Sequence, residues 1–203
     1  MKSKLGLIAK VLVWALATVV ILPLVGSEYL RFIYAQTVAR WAAKAVPPDT
    51  VYIGDSVTAG GRLFNDARDI NLGSNGLQTF QIAAMLPTAL ALSPRHVVVM
   101  AGTNDAVEGP IDAAELVGLW RTICAEPKVV VTLVSPTTSG LLNARIAQLN
   151  GIARSQCAGR TIIDLSALAD KDGRIRPQYT VDGTHLSPAG NAVWKAKLRR
   201  MGI

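Results

Sequence analysis

From residue 49 onward the chain alternates short β-branched runs with longer stretches whose apolar residues recur at helical spacing. Val51–Ile53, Asp69–Leu72, "HVVVMAG" (His96–Gly102), "KVVVTLV" (Lys128–Val134) and "TIIDL" (Thr161–Leu165) read as strands. Helices are predicted over Thr79–Leu92, Asp112–Ala125 and Leu141–Gln156, with a last one over Pro188–Arg200. Apolar strands joined by helical crossovers predict an α/β fold, a parallel sheet covered on both faces. In such sheets, sites form outside the carboxyl ends of the strands. No internal repeat or low-complexity tract interrupts the rhythm.

The first part of the chain follows another pattern. Leu5–Gly26, "LGLIAKVLVWALATVVILPLVG", carries a single charge, Lys10, and is preceded by Lys2 and Lys4. At ~1.5 Å per residue a helix of this length can cross a ~30 Å hydrocarbon core, and Lys10 near its start can snorkel to the interface. The flanking lysines predict an N-terminus inside and the remaining chain exported, outside the cytoplasm. A signal peptide cleaved near "VGS" is the alternative, and it exports the domain equally. Residues 27–48 place Leu30, Ile33, Tyr34, Trp41 and Ala45 at helical spacing, which predicts a juxtamembrane helix or a first helix packed on the domain. Pro47-Pro48 then marks a boundary. The expected organisation is 1–26 anchor or signal segment, 27–48 linker helix and 49–203 catalytic domain.

Composition adds little against this picture. The 203 residues suffice for one domain with a sizeable core. Half of them are hydrophobic, 17% are charged, and the net charge is +7. The mean hydropathy of +0.32 reflects the apolar N-terminal segment. The basic residues are scattered apart from "WKAKLRR", so no nucleic-acid partner is expected.

The candidate chemistry lies after the strands. Ser56 closes "VYIGDS" at the end of the first strand, and "NLGSNG" (Asn71–Gly76) follows the second. "GTND" (Gly102–Asp105) follows the third, and "DGTHLS" (Asp182–Ser187) lies between the fifth and the last helix. All four clusters therefore fall on one rim of the predicted sheet. A serine hydroxyl needs a base to take its proton and donors to hold the developing oxyanion. His185, three residues after Asp182, can supply the base, with Asp182 fixing its tautomer. The backbone N–H groups of Ser56 and Gly73 and the side-chain amide of Asn104 can supply the donors. Taken singly, Asp182 and His185 also read as a surface or capping pair, Gly73 as a turn glycine and Asn104 as a helix cap.

These four blocks, in this order, resemble the SGNH hydrolases, also called the GDSL esterase/lipase family, over about Val51–Trp194. The resemblance implies a flavodoxin-like three-layer fold, Ser56 as nucleophile, His185 as base and Asp182 as its orienting acid. It implies oxyanion donors from Ser56, Gly73 and Asn104. Asn75 and Leu77 depart from the serine and acidic residue that many members carry there. A phosphate loop is not supported, because the G-x-G-x-x-G and Gly-Lys-Ser/Thr spacings are missing, and neither is a G-x-S-x-G turn. No His-Glu-x-x-His or paired C-x-x-C cluster occurs, so neither metal nor cofactor is expected.

Cys124 and Cys157 each lie four residues before a predicted strand. Right-handed crossovers between neighbouring strands would put both helices on one face with their ends together, which predicts a disulfide. Two buried thiols are the alternative.

The expected reaction is hydrolysis of an acyl ester through an acyl-Ser56 intermediate. Short connections on the rim favour a small acyl group, such as acetate on an exported carbohydrate or cell-envelope polymer. A lysophospholipase or acyl-thioesterase, an O-acyltransferase using the same triad, and a catalytically silent binding module are the alternatives. The expected partners are that ester, on glycan or lipid, and a membrane through the N-terminal segment. The sequence leaves the oligomeric state open.

Overall fold

A computed structural model describes residues 47–61 and 68–203. The expected anchor (1–26) and all but the last two residues of the expected linker (27–48) lie outside the described residues. Among the described residues no helix is long and apolar enough to cross a membrane.

Five strands form the sheet: β1 (Thr50–Gly54), β2 (Asp69–Asn71), β3 (His96–Met100), β4 (Val129–Thr132) and β5 (Thr161–Ile163). They pair in the order β2-β1-β3-β4-β5, and every pair is parallel. Helices α1 (Ser56–Ala59), α2 (Thr79–Leu90), α3 (Thr103–Val107), α4 (Ala113–Ala125), α5 (Gly140–Gln156) and α6 (Pro188–Arg200) connect or follow them. Single turns of 3₁₀ helix cover Ser166–Leu168 and Pro177–Tyr179.

Strand alternation sorts the core into two layers. Val51 and Ile53 of β1, Val97 and Val99 of β3, and Val129 and Val131 of β4 face α2, α4 and α5, packing on Ile82, Leu86, Trp120 and Ile123. Tyr52, Val98, Met100 and Val130 face the other way, onto Trp194 and Leu198 of α6 and onto Val57 of α1. Both faces of the central strands are buried, which is why those segments read as unbroken apolar runs. The result is the three-layer α/β fold expected from the sequence.

Local sequence explains the helix limits. Asp112 caps α4 by accepting from the N–H groups of Ala114 and Glu115. Ser187 caps α6 by accepting from Gly190, with Pro188 at the first helical position. The indole Nε1 of Trp194, fully buried, donates to Thr132 Oγ1 at 3.1 Å, tying α6 to β4. Two details depart from expectation. Helix α3 forms where the sequence suggested only a loop, and β3, β4 and β5 end at Met100, Thr132 and Ile163, two residues before the apolar runs do.

The crossovers through α4 and α5 run in the same direction across the sheet, so both helices share a face and their carboxyl ends meet. Cys124 and Cys157 form a disulfide there, closing a separation of 33 residues. Arg160 reinforces the junction by donating to the carbonyl of Cys124 at 2.8 Å. Replacing both cysteines by alanine should lower unfolding stability by about 2–4 kcal/mol, read from urea denaturation. Ester hydrolysis by the folded fraction should stay unchanged, because the bridge lies at the sheet edge opposite Ser56.

Candidate active site

The carboxyl ends of the strands bring the four polar blocks together. β1 ends at Gly54, Asp55 follows, and Ser56 opens α1. Asp55 is fully buried and accepts from the Val57 N–H at 2.9 Å, capping the short helix from beneath the serine. Burial pushes the Asp55 carboxyl above its ordinary value, against the lowering effect of that N–H and of the nearby His185. Gly54 is required by space. A Cβ there would meet Thr58 Oγ1 at 2.1 Å and the Met100 carbonyl at 2.7 Å.

His185 reaches Ser56 from a loop held at several points. Thr180 Oγ1 donates to the His185 carbonyl at 2.8 Å and accepts from the Gly183 N–H at 2.8 Å. Thr138 N–H donates to the Gly183 carbonyl at 2.9 Å, and Ser187 Oγ donates to the Gln178 carbonyl at 2.6 Å. Gly183 has φ +94°, and a Cβ there would strike Thr138 Oγ1 at 2.4 Å, so the turn demands glycine on both counts. In this frame His185 Nε2 lies 2.9 Å from Ser56 Oγ, and His185 Nδ1 lies 2.6 Å from Asp182 Oδ2. Asp182 Oδ1 accepts from the N–H groups of Thr184 and His185, at 2.9 and 2.8 Å. The serine, histidine and acid expected from the sequence thus form one continuous hydrogen-bonded line.

That arrangement favours the charged carboxylate. The bond from the His185 N–H, then those from the His185 ring and the Thr184 N–H, hold the Asp182 pKa down to about 2. An ionised Asp182 accepts from Nδ1–H, which leaves Nε2 as an acceptor facing the serine hydroxyl.

Gly73 sits against the turn that carries Ser56: a Cβ would lie 2.6 Å from the Ala59 nitrogen and 2.9 Å from the Thr58 carbonyl carbon. Its N–H donates to Asn71 Oδ1 at 2.9 Å. Gly76, at φ +75°, follows in the same loop, and its N–H has no hydrogen-bond partner among the described residues. The next residue, Leu77, accepts from Asn104 Nδ2 at 2.9 Å, so Gly76 and Asn104 are neighbours. An amide nitrogen carries two protons, and this bond uses one. The Ser56 N–H likewise has no partner among the described residues.

Three further residues hold the rim and were not singled out from the sequence. Asn71 Nδ2 donates to the Thr58 carbonyl at 2.7 Å, clamping the second loop on α1. Asp105 accepts from the Thr79 N–H and hydroxyl, both at 3.0 Å, binding the third loop to the start of α2. Asn191, buried on α6, lines the cleft. Asn71 and Asp105 stood inside the blocks "NLGSNG" and "GTND", where their hydrogen-bonding capacity was the available signal.

A cleft of about 730 Å³ opens over Ser56 and His185, lined also by Ala59, Gly60, Asn75, Val181 and Asn191. The other large cavity, about 450 Å³, lies at the amino ends of the strands, away from these groups.

A family model described as "GDSL-like Lipase/Acylhydrolase family" matches residues 52–193. No curated protein matches the chain. Among solved structures, the chain is similar to a GDSL-like lipase from Bacteroides thetaiotaomicron, at 19% identity and TM-score 0.67, over 82% of this chain and 96% of that one. It is similar to a member of the lipolytic G-D-S-L family from Veillonella parvula, at 17% and 0.61, over 74% and 96%. An acetylxylan esterase from Geobacillus stearothermophilus, solved as a catalytic mutant, matches at 16% and 0.61, over 74% and 92%. At these identities the likeness shows a common fold.

The depressed pKa of Asp182 has a measurable sign. A carboxylate stabilised in the folded state contributes stability that is complete above the ordinary value of 3.8 and is lost as pH falls through about 2. The Asp182 side-chain carboxyl resonance, assigned by comparison with Asp182→Asn, should therefore titrate with a midpoint near 2. A midpoint near the unperturbed value would mean that the His185 bonds do not form in solution.

Proposed function

The chain belongs to the GDSL-like lipase/acylhydrolase family, and from that premise we propose that this ester-hydrolysing serine hydrolase removes a small acyl group, acetate above all, from an exported carbohydrate or cell-envelope polymer. The observation that carries the reading is the line Ser56–His185–Asp182 opening onto a broad cleft. Small residues at Ala59 and Gly60 flank the serine, Asn75 and Asn191 line the cleft with it, and Val181, Leu186 and Pro188 give it an apolar side. The small residues beside the serine suit a short acyl group, and the two amides suit a polar alcohol. The acetylxylan esterase among the structural neighbours is consistent with that class. The apolar segment Leu5–Gly26 supports export, with a retained anchor in the membrane.

In this mechanism Ser56 Oγ attacks the ester carbonyl as His185 Nε2 takes its proton. The imidazolium is held by Asp182 through Nδ1–H. The carbonyl π pair moves to oxygen, and the oxyanion accepts from the Ser56 N–H, the Gly73 N–H and the second Asn104 Nδ2 proton. The carbonyl re-forms as the alcohol leaves, taking the proton from His185 and leaving acyl-Ser56. Water then repeats the sequence: it loses a proton to His185 as it attacks, and Ser56 Oγ regains one as the carboxylic acid departs. Asp182 stays ionised throughout.

Ser56→Ala should lower kcat on acetyl esters by roughly 10⁴-fold or more, and a fluorophosphonate should label the native chain at Ser56 alone. Asn104→Ala should lower kcat about 10²–10³-fold with little change in KM. Acetyl esters should turn over at least about tenfold faster than octanoyl esters, since even one methylene that the site does not accommodate costs about 1–3 kcal/mol. A preference for octanoyl or lysophospholipid substrates would replace the glycan reading by the lipid one. Product formed only with a sugar acceptor would identify an acyltransferase.

A further inference from the structure

The charges of this domain are sorted along the strand axis. Arg68, Arg95, Lys128 and Arg160 each stand immediately before or at the amino end of β2, β3, β4 and β5. Helix α6 starts at the catalytic rim and runs back across the sheet, so its last turns carry Lys195 and Arg199 to the same edge. There a cavity of about 450 Å³ opens among Arg68, Arg95, Lys195 and Arg199. Asp49 lies between two of these cations, 3.0 Å from Arg68 and 3.4 Å from Arg95. Asp69 lines the same cavity, so four cations face two carboxylates and positive charge is in surplus. The opposite rim exposes Glu108, Asp112, Glu115, Asp170 and Asp172, with Lys171 and Arg174 among them.

The chain enters the domain at the basic edge. Pro47 is exposed there, Pro48 and Asp49 follow, and β1 begins at Thr50. The described chain thus begins on the side away from Ser56, and the length of β1, about 17 Å at ~3.3 Å per residue, separates that entry from the serine.

We propose that the amino-edge face is a docking surface for an anionic bilayer, which turns the cleft outward, away from the lipid. This rests on the reading of Leu5–Gly26 as a membrane anchor. Anionic headgroups attract juxtamembrane cations over about one Debye length, ~8 Å at physiological ionic strength. Docked by this face, the domain has Arg68, Arg95 and Arg199 within that range of the headgroups, while the acidic residues of the opposite rim stand away from the same surface. The cavity among the arginines receives a headgroup phosphate. The substrate is then a polymer standing off the membrane, and the bilayer lipids lie behind the enzyme.

Amide hydrogen exchange of the full chain in nanodiscs tests the idea, comparing phosphatidylcholine alone with discs about one-third phosphatidylglycerol. Residues 92–96 and 195–203 should exchange several-fold more slowly on the anionic discs only. The slowing should vanish in 0.5 M NaCl or in the double variant Arg95→Glu, Arg199→Glu, which should keep native acetyl-esterase activity. Residues 181–187 should exchange alike on both discs. Equal exchange at the basic edge on the two lipids, or lipid-dependent slowing at 181–187, overturns the proposal. Failure of the chain to incorporate into phosphatidylcholine discs overturns the anchor reading instead. In that case phosphatidylglycerol vesicles added to the same chain decide the docking face, by the same slowing or its absence.

Discussion

Parallel pairing of β1 between β2 and β3 is the constraint from which the site follows. Because all five strands run one way, every connection leaving a carboxyl end starts on the same edge. The register pairs Gly54 with Met100, so the nucleophile turn and the third loop leave the sheet side by side. β2 pairs with β1 from Thr50 to Tyr52, which brings Asn71 level with the strand that leads to Ser56. Reversing one strand would move its loop to the far edge and remove its donor. No local sequence feature at Ser56 could compensate for that.

The ladder brings the loops near one another, but hydrogen bonds set their final positions. Asn71 holds the second loop to α1, while Asn104 and Asp105 tie that loop and the start of α2 to the third. The fourth segment depends on α6, which the buried Trp194–Thr132 bond fixes to β4. His185 therefore reaches Ser56 across 129 residues of chain through rigid elements at both ends. Burying Asp55 under the serine belongs to the same scheme. A carboxylate in an apolar setting is costly unless it accepts hydrogen bonds, and the Val57 N–H it accepts fixes the turn that exposes Ser56.

Much of this was legible in the chain because it rests on local rules. Strand runs such as "HVVVM" are buried on both faces and lack alternation, and the helices between them announce their caps at Asp112 and Ser187. That Ser56, His185 and Asp182 would meet was legible from their places after the strands. The disulfide followed from crossover handedness, since Cys124 and Cys157 stand at equivalent positions before β4 and β5. The bond from the Gly73 N–H to Asn71 Oδ1 was not legible, because it depends on how the second loop folds back on α1. The helix α3 was missed for a related reason: five residues are too few to display a period, and its formation depends on the Asp105 contacts made across the fold.

Charge sorting bears on substrate choice independently of cleft shape. A lipid hydrolase gains by presenting its cleft to the bilayer, and acidic groups around that cleft would oppose such an approach to anionic lipid. Here the exposed carboxylates Glu108, Asp112 and Glu115 lie on the catalytic side, and Arg68, Arg95 and Arg199 lie at the end where the chain enters β1. The two poles are linked by the strand direction itself, because α6 must run antiparallel to the sheet to cover it, carrying its basic last turn away from His185. Basic residues in the last turn also complement the helix dipole, so one placement serves both the helix and the surface. In the proposed docking, the outward direction of the cleft follows from where the chain enters β1 and from the direction in which α6 returns.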